Sequence, residues 1–246
     1  MHPTSISHRL FFFTPAVMAN LFNVMALLAE AFTAASVLQA SELQMGILGA
    51  VNALGYAWTC LVAGLISEKA GRRKVCISAL VVLTLMCLIT PYSPSLTILC
   101  LCGFIRSSAS GFLWPPLMAW MTETSDRSAL PKLVAGYGIS WTTGHLLGFG
   151  LCGWTFEMLG PRAPFHWAAL IGLTQIIFLS VLHPRKFHQV ESVVDTPRPD
   201  VRTFLRDGFL MITLASFQVA LVTYLFPKAI LSQMGETDQG LLHVFR

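Results

Sequence analysis

The fold class this sequence predicts is an all-α membrane protein: a six-helix N-terminal bundle followed by a seventh transmembrane helix. Three observations carry that expectation. The 246 residues are 54% hydrophobic and only 11% charged, where a soluble domain carries about a quarter charged residues. The apolar residues arrive in long runs, without the alternation of a transmembrane barrel. Seven spans of about 20 residues need about 140 residues and leave room for loops, whereas twelve would need about 240. So few charges cannot coat a water-facing surface, which excludes a soluble enzyme, a disordered chain and a nucleic-acid binder.

The first span covers 10–38. Ala29-Glu30-Ala31 imitates a signal-peptidase site, but the run is about twice as long as a secretory apolar region and holds Asn20 and Asn23, so it reads as a helix. The second span covers 42–66, the third 75–91, the fourth 95–121, the fifth 132–155 and the sixth 165–183. Their connections are short and polar or carry Gly and Pro, as turns between neighbouring helices do. The segment 184–206 differs: Pro184, Pro197, Pro199 and mixed charges mark a water-exposed linker. A seventh span covers 208–231. The expected domains are therefore a bundle at 1–183, a cytoplasmic linker at 184–206, and helix 7 with the start of an eighth at 207–246.

The six cysteines lie in or beside apolar runs, form no Cys-x-x-Cys pair and show no metal-ligand spacing. They read as small hydrophobes facing lipid or core, and no metal or cofactor is expected. Charge sets the orientation. With the N-terminus in the cytoplasm, twelve of the sixteen Lys and Arg residues fall on the inner side, among them Lys69, Arg72, Arg73, Lys74, Arg127 and Lys132. That asymmetry is the positive-inside pattern, and the expected location is multi-pass in the plasma (inner) membrane.

Polar groups inside the spans are the candidate pathway, because a charge or amide in hydrocarbon is costly and should face the bundle interior. Asn20, Asn23 and Glu30 share one stripe of helix 1, and Asn52, Tyr56 and Thr59 share one stripe of helix 2. Glu30 and Arg106 lie at comparable depth, about 12 and 16 Å from the outer ends. They are placed to meet across the bundle, either as a fixed ion pair or as a pair that Arg106 exchanges for an anionic substrate group. His145, near the middle of helix 5, is a candidate proton relay or a histidine bonded to a backbone carbonyl. Gln175 is a weaker lining candidate, as is Gln218 in helix 7. Trp58, Trp120, His166 and Trp167 lie near span ends, where aromatic anchoring is the default.

After helix 2 the sequence reads Gly64-Leu-Ile-Ser-Glu68-Lys69-Ala-Gly71-Arg72-Arg73. Gly64 allows close helix approach, Gly71 a tight turn, and the basic cluster anchors the loop at the cytoplasmic face. The full spacing resembles the loop 2–3 signature of the major facilitator superfamily, with Glu68 for Asp and Lys69 for Arg. Helix 4 adds Arg106 and Gly111 ahead of Trp114-Pro115-Pro116, closed by Glu123 and Arg127, similar to the family's helix 4–5 region. Helix 5 carries Gly136, Gly138, Gly144, Gly148, Gly150 and Gly153, resembling the family's glycine-rich fifth helix. The antiporter form of that helix has a Gly-Pro pair, whereas here Gly144 precedes His145.

The resemblance covers roughly 10–183 and implies a secondary transporter of a small solute, not an enzyme, working by alternating access and coupled to an ion. It also implies that Gly64, Glu68, Lys69, Gly71, Arg72, Arg73, Glu123 and Arg127 form a conformational latch. The family's latch is received by a second six-helix half. The expectation is thus half of a transporter, truncated or split, its partners being the lipid bilayer, a small-molecule substrate, and a second chain or a second copy. A short echo between 38–48 and 231–242 suits parallel repeats that set helix 7 opposite helix 1. No nucleotide-binding loop is present, so energy is expected from a gradient. The rival classes are a non-transporting membrane scaffold and a seven-helix receptor or photoprotein with Lys228 as the retinal-bearing residue.

Overall fold

Helix α1 (Thr4–Phe32) continues into a π-helical turn over Thr33–Val37, and the first span lies within them. The computed structural model describes residues 4–123 and 130–181. Six further helices follow: α2 (Glu42–Ala70), α3 (Arg72–Ile89), α4 (Leu96–Gly111), α5 (Trp114–Glu123), α6 (Leu130–Leu159) and α7 (Ala163–Val181). A 3₁₀ turn over Thr90–Tyr92 extends α3. Among the described residues there is no strand. The chain is an all-α, multi-pass membrane protein. The expected linker at 184–206, the seventh span with Gln218 and Lys228, and Arg127 lie outside the described residues.

Among the described residues, five stretches are long and apolar enough to cross a bilayer: Phe13–Val37, Glu42–Ala70, Arg72–Tyr92, Leu96–Glu123 and Ala163–Val181. Helix α6 falls outside that set because six glycines, Ser140, Thr142, Thr143 and His145 dilute its apolar content. Its 30 residues still extend about 45 Å at helical rise.

Several boundaries differ from the sequence reading by a few residues, and two differences have a clear local reason. Residues 67–70, expected beyond the second span at 42–66, are the last turn of α2. Leu65, Ile66, Glu68, Lys69 and Ala70 all tolerate a helix, so the chain stays helical until Gly71, whose φ of +95° only glycine adopts without strain. The inter-helix turn is that single residue. The opposite end of α2 is set by a capping box, in which Ser41 and Gln44 satisfy each other's backbone N–H.

The fourth span, expected as one helix over 95–121, is two. Pro115 and Pro116 carry no N–H to bond the carbonyls of Gly111 and Phe112, and their rings crowd the preceding turn. The chain turns over at Phe112-Leu113, where both amides fall back on carbonyls three residues earlier, at 3.1 and 3.0 Å. Backbone carbonyls at membrane depth need partners. At Gly111 a thiol stands by, with Cys60 Sγ 3.9 Å from the oxygen; Cys76 Sγ lies 3.9 Å from the Leu113 oxygen, which also accepts from the Leu117 amide at 3.1 Å.

Helix α1 packs along α6 and α7, α2 along α4 and α5, and α3 against α7, α4 and α5. Between α1 and α6 the contact is a stripe of small residues at four-residue spacing: Gly136, Ser140, Gly144, Gly148 and Cys152. Added Cβ atoms at Gly144 and Gly148 would sit 2.5 Å from the Val17 oxygen and 2.9 Å from Val24 Cβ. Lipid tails are as apolar as leucine, so helices associate through such close packing. The aliphatic side chains Leu54, Leu61, Ile139 and Leu146 face outward, while Phe22, Met25, Leu80, Leu83, Leu117 and Phe165 fill the middle.

Candidate functional site

The most costly feature of this interior is a charge pair. Glu30 on α1 and Arg106 on α4 are 0 and 1% exposed, with Arg106 Nη2 donating to Glu30 Oε2 at 2.7 Å. The other carboxylate oxygen, Oε1, accepts from Asn52 Nδ2 on α2 at 2.8 Å. Asn52 is oriented in turn by Ser107, whose hydroxyl donates to Asn52 Oδ1 at 2.8 Å. Arg106 Nη1 reaches Asn23 Oδ1 at 3.4 Å. Two ions in hydrocarbon persist only when paired and hydrogen-bonded on their remaining positions, and three helices supply that here.

The backbone makes room for it. Gly103 lies one turn before Arg106 on α4, and a Cβ there would overlap Glu30 Oε1 and come within 2.7 Å of Asn52 Oδ1. Gly55 and Gly111 bring α2 and α4 together in the same way: Cβ atoms on them would lie 2.7 Å from the Phe104 oxygen and 2.8 Å from that of Tyr56. Directly after Glu30, α1 widens into its π turn, closed by Leu38 and Ala40 amides onto the Thr33 and Ala34 oxygens at 3.0 and 2.9 Å. Short π segments concentrate at functional positions.

Of the pathway residues read from the sequence, the structure brings together Asn23, Glu30, Asn52 and Arg106. The others make their hydrogen bonds elsewhere. Asn20 is buried but donates to its own helix, at the Ala16 oxygen, 3.0 Å away. Tyr56 packs half-buried beside the core and pairs with Cys60 on its own helix. Gln175 on α7 is fully buried and donates to the Pro15 oxygen at 3.0 Å, tying α7 to α1. His145 is half-buried on α6, stacked at 3.9 Å on Trp141, with Nδ1 3.1 Å from the Trp141 oxygen. Trp120 is buried in the core and is no interfacial anchor. Ser107 and Gly103 were not singled out from sequence. Their signal was adjacency, one beside Arg106 and the other a small residue one turn before it.

At the end of the bundle that carries Gly71, the basic residues divide their work. Arg72 Nη2 meets Glu123 Oε1 at 2.7 Å, while its Nη1 donates to the Gly64 oxygen at 2.9 Å and to Ser67 Oγ at 2.5 Å. One guanidinium thereby joins the ends of α2 and α5. Arg73 donates to the carbonyls of Leu179 and Ser180 at 2.8 and 2.6 Å, tying the start of α3 to α7. Glu68 and Lys69 are exposed on the last turn of α2.

Long apolar helices, packed through glycines around one buried and hydrogen-bonded ion pair, define a polytopic helical membrane protein with a charged interior. The sequence model of the Major Facilitator Superfamily matches residues 10–244, and the chain belongs to that superfamily. Its members are transporters and not enzymes. None of the curated proteins matches the sequence.

Proposed function

We propose that this protein is a secondary active transporter, moving a small solute by alternating access and drawing its energy from an ion gradient, as a symporter. The proposed setting is the plasma (inner) membrane with the N-terminus in the cytoplasm, supported by the side on which twelve of sixteen Lys and Arg residues fall. The observation that carries the reading is the Glu30–Arg106 pair with Asn23, Asn52 and Ser107 around it. It sits where a charge is most expensive, on the helix that opens into a π turn one residue pair later. Binding sites of such transporters lie near the midplane between helices that can part. The Arg72–Glu123 contact supports the second element of the reading, a latch that holds the ends of α2 and α5 together in one state and releases in another. Its receiving surface would come from an opposing six-helix half.

A fixed structural pair is the competing role, favoured by how completely Glu30 is bonded. Uptake separates the two. Purified protein in proteoliposomes is offered a cell extract under an imposed proton gradient, and accumulated solutes are identified by mass spectrometry against empty vesicles. At least one solute should accumulate. Its uptake should fall about tenfold or more in Glu30→Gln and in Arg106→Lys, as losing one charge-assisted hydrogen bond at the site implies. Wild-type uptake by both variants would remove the pair from the mechanism.

A further inference from the structure

Among the described residues, Glu30 and Arg106 are the only Asp, Glu, Lys or Arg side chains in the interior of the spans; Glu42, Glu68, Lys69, Arg72, Arg73, Lys74, Glu123, Lys132 and Glu157 all lie near helix ends. The site is therefore neutral as it stands, one carboxylate against one guanidinium. The geometry around that carboxylate is a cradle. Arg106 Nη2 grips one oxygen at 2.7 Å, Asn52 Nδ2 grips the other at 2.8 Å, and Ser107 holds Asn52 so that its amide nitrogen points inward. Gly103 supplies the floor, since any side chain there would fill the carboxylate's space. An arginine and an amide arranged around one planar group are what recognition of a carboxylate requires. Nothing in the cradle depends on the carboxylate being attached to α1.

We propose that Glu30 is a tethered stand-in for the substrate, and that the transported solute is a small monocarboxylate carried together with one proton. This rests on the reading of the cluster as the transport site. In the exchange a proton from the aqueous side adds to a Glu30 oxygen. The neutral acid loses its charge-assisted bond to Arg106, and the substrate's carboxylate takes the two donors that Glu30 leaves. The charges balance at each stage: Glu30 −1 with Arg106 +1 when empty, protonated Glu30 with Arg106 +1 and substrate −1 when loaded. Both states are neutral, so both can be carried across a low-dielectric interior that penalises net charge. Protonation without substrate, or substrate without protonation, leaves one uncompensated charge, and that penalty couples the two. Among the described residues, the thiols of Cys87 on α3 and Cys100 on α4 also interact electrostatically with Glu30; neither supplies a second charge at neutral pH.

Two measurements on the full chain test this. In detergent, Glu30→Gly empties the cradle, and formate, the smallest carboxylate, is the probe. Tens of millimolar formate should raise the Tm of Glu30→Gly by about 3 °C or more relative to chloride, as a ligand of the native state does. It should leave wild type and Glu30→Gly/Arg106→Gln unmoved. In proteoliposomes loaded with a pH-sensitive dye, matched mixtures of hydroxylated monocarboxylates, dicarboxylates, polyols and amines are added outside. Only the monocarboxylates should acidify the lumen above empty liposomes, at a rate that changes less than about twofold when valinomycin and potassium shift the membrane potential. No formate shift, no acidification by monocarboxylates, or a strongly potential-dependent rate overturns the proposal. If one of the other mixtures is taken up instead, the transporter reading stands without this substrate class; if none is taken up, both fall.

Discussion

Gly103 and Glu30 face each other so closely across α4 and α1 that a methyl group on Gly103 would overlap Oε1 of the carboxylate. The glycine is thus part of how the ion pair is housed. Gly103→Ala should push Glu30 and Asn52 off their donors and destabilise the protein by about 1–3 kcal/mol, the usual cost of overpacking. Thermal unfolding in detergent measures it. A Tm equal to wild type would mean that the α1–α4 spacing relaxes freely and that the cradle is not rigid.

The ion pair itself should behave as a unit. Removing one partner leaves the other charged and buried, at a cost of about 3–5 kcal/mol. Glu30→Gln and Arg106→Gln should each be strongly destabilised, while the double variant, having no orphan charge, should lose far less than the sum. Additive losses in this cycle would show that the 2.7 Å contact carries no coupling energy.

Part of this arrangement is legible in the sequence alone. Charge is so expensive in hydrocarbon that Glu30 and Arg106 had to find each other or water, and counting residues from the span ends placed them at similar depth. Helical spacing alone could not say which groups on a stripe reach across. Asn20 and Asn23 share a stripe with Glu30, yet Asn20 turns back to the Ala16 oxygen while Asn23 meets Arg106. Side-chain direction depends on what the neighbouring helix offers, and that is tertiary information. The break in the fourth span shows a different gap. Pro115 and Pro116 were visible, but the apolar run continues through them, so a reading by hydropathy joined α4 to α5. Trp120 reads as interfacial from its distance to the span end, whereas on α5 its ring is buried in the core.

Arg72 and Arg73 are neighbours with separable roles. The Arg72–Glu123 pair is solvated, Glu123 being 46% exposed, so it contributes at most about 1 kcal/mol to stability. Glu123→Gln should leave Tm nearly unchanged. Arg73 instead donates to two backbone carbonyls of α7, those of Leu179 and Ser180. Arg73→Ala should speed amide hydrogen exchange in that turn and spare the middle of α7, while Arg73→Lys, with one donor centre for two carbonyls, should fall between. Equal exchange in all three would show that the C-terminal turn of α7 is held by other contacts.

The glycines of α6 offer the sharpest internal comparison, because the sequence treats them alike and the structure does not. A Cβ on Gly144 would lie 2.5 Å from the Val17 oxygen and 2.6 Å from Asn20 Cβ, whereas around Gly150 nothing lies within 4 Å. Gly144→Ala must therefore separate α1 from α6 along the interface that positions Glu30, and its cost should be about 1–3 kcal/mol. Gly150→Ala meets no such wall, and with less backbone freedom to lose on folding it should stabilise the helix by about 0.5–1 kcal/mol. The two variants should thus shift Tm in opposite directions, with transport impaired only in Gly144→Ala. If both lowered Tm equally, the open face of α6 at Gly150 would have to be packed against another helix, as Gly144 is packed against α1.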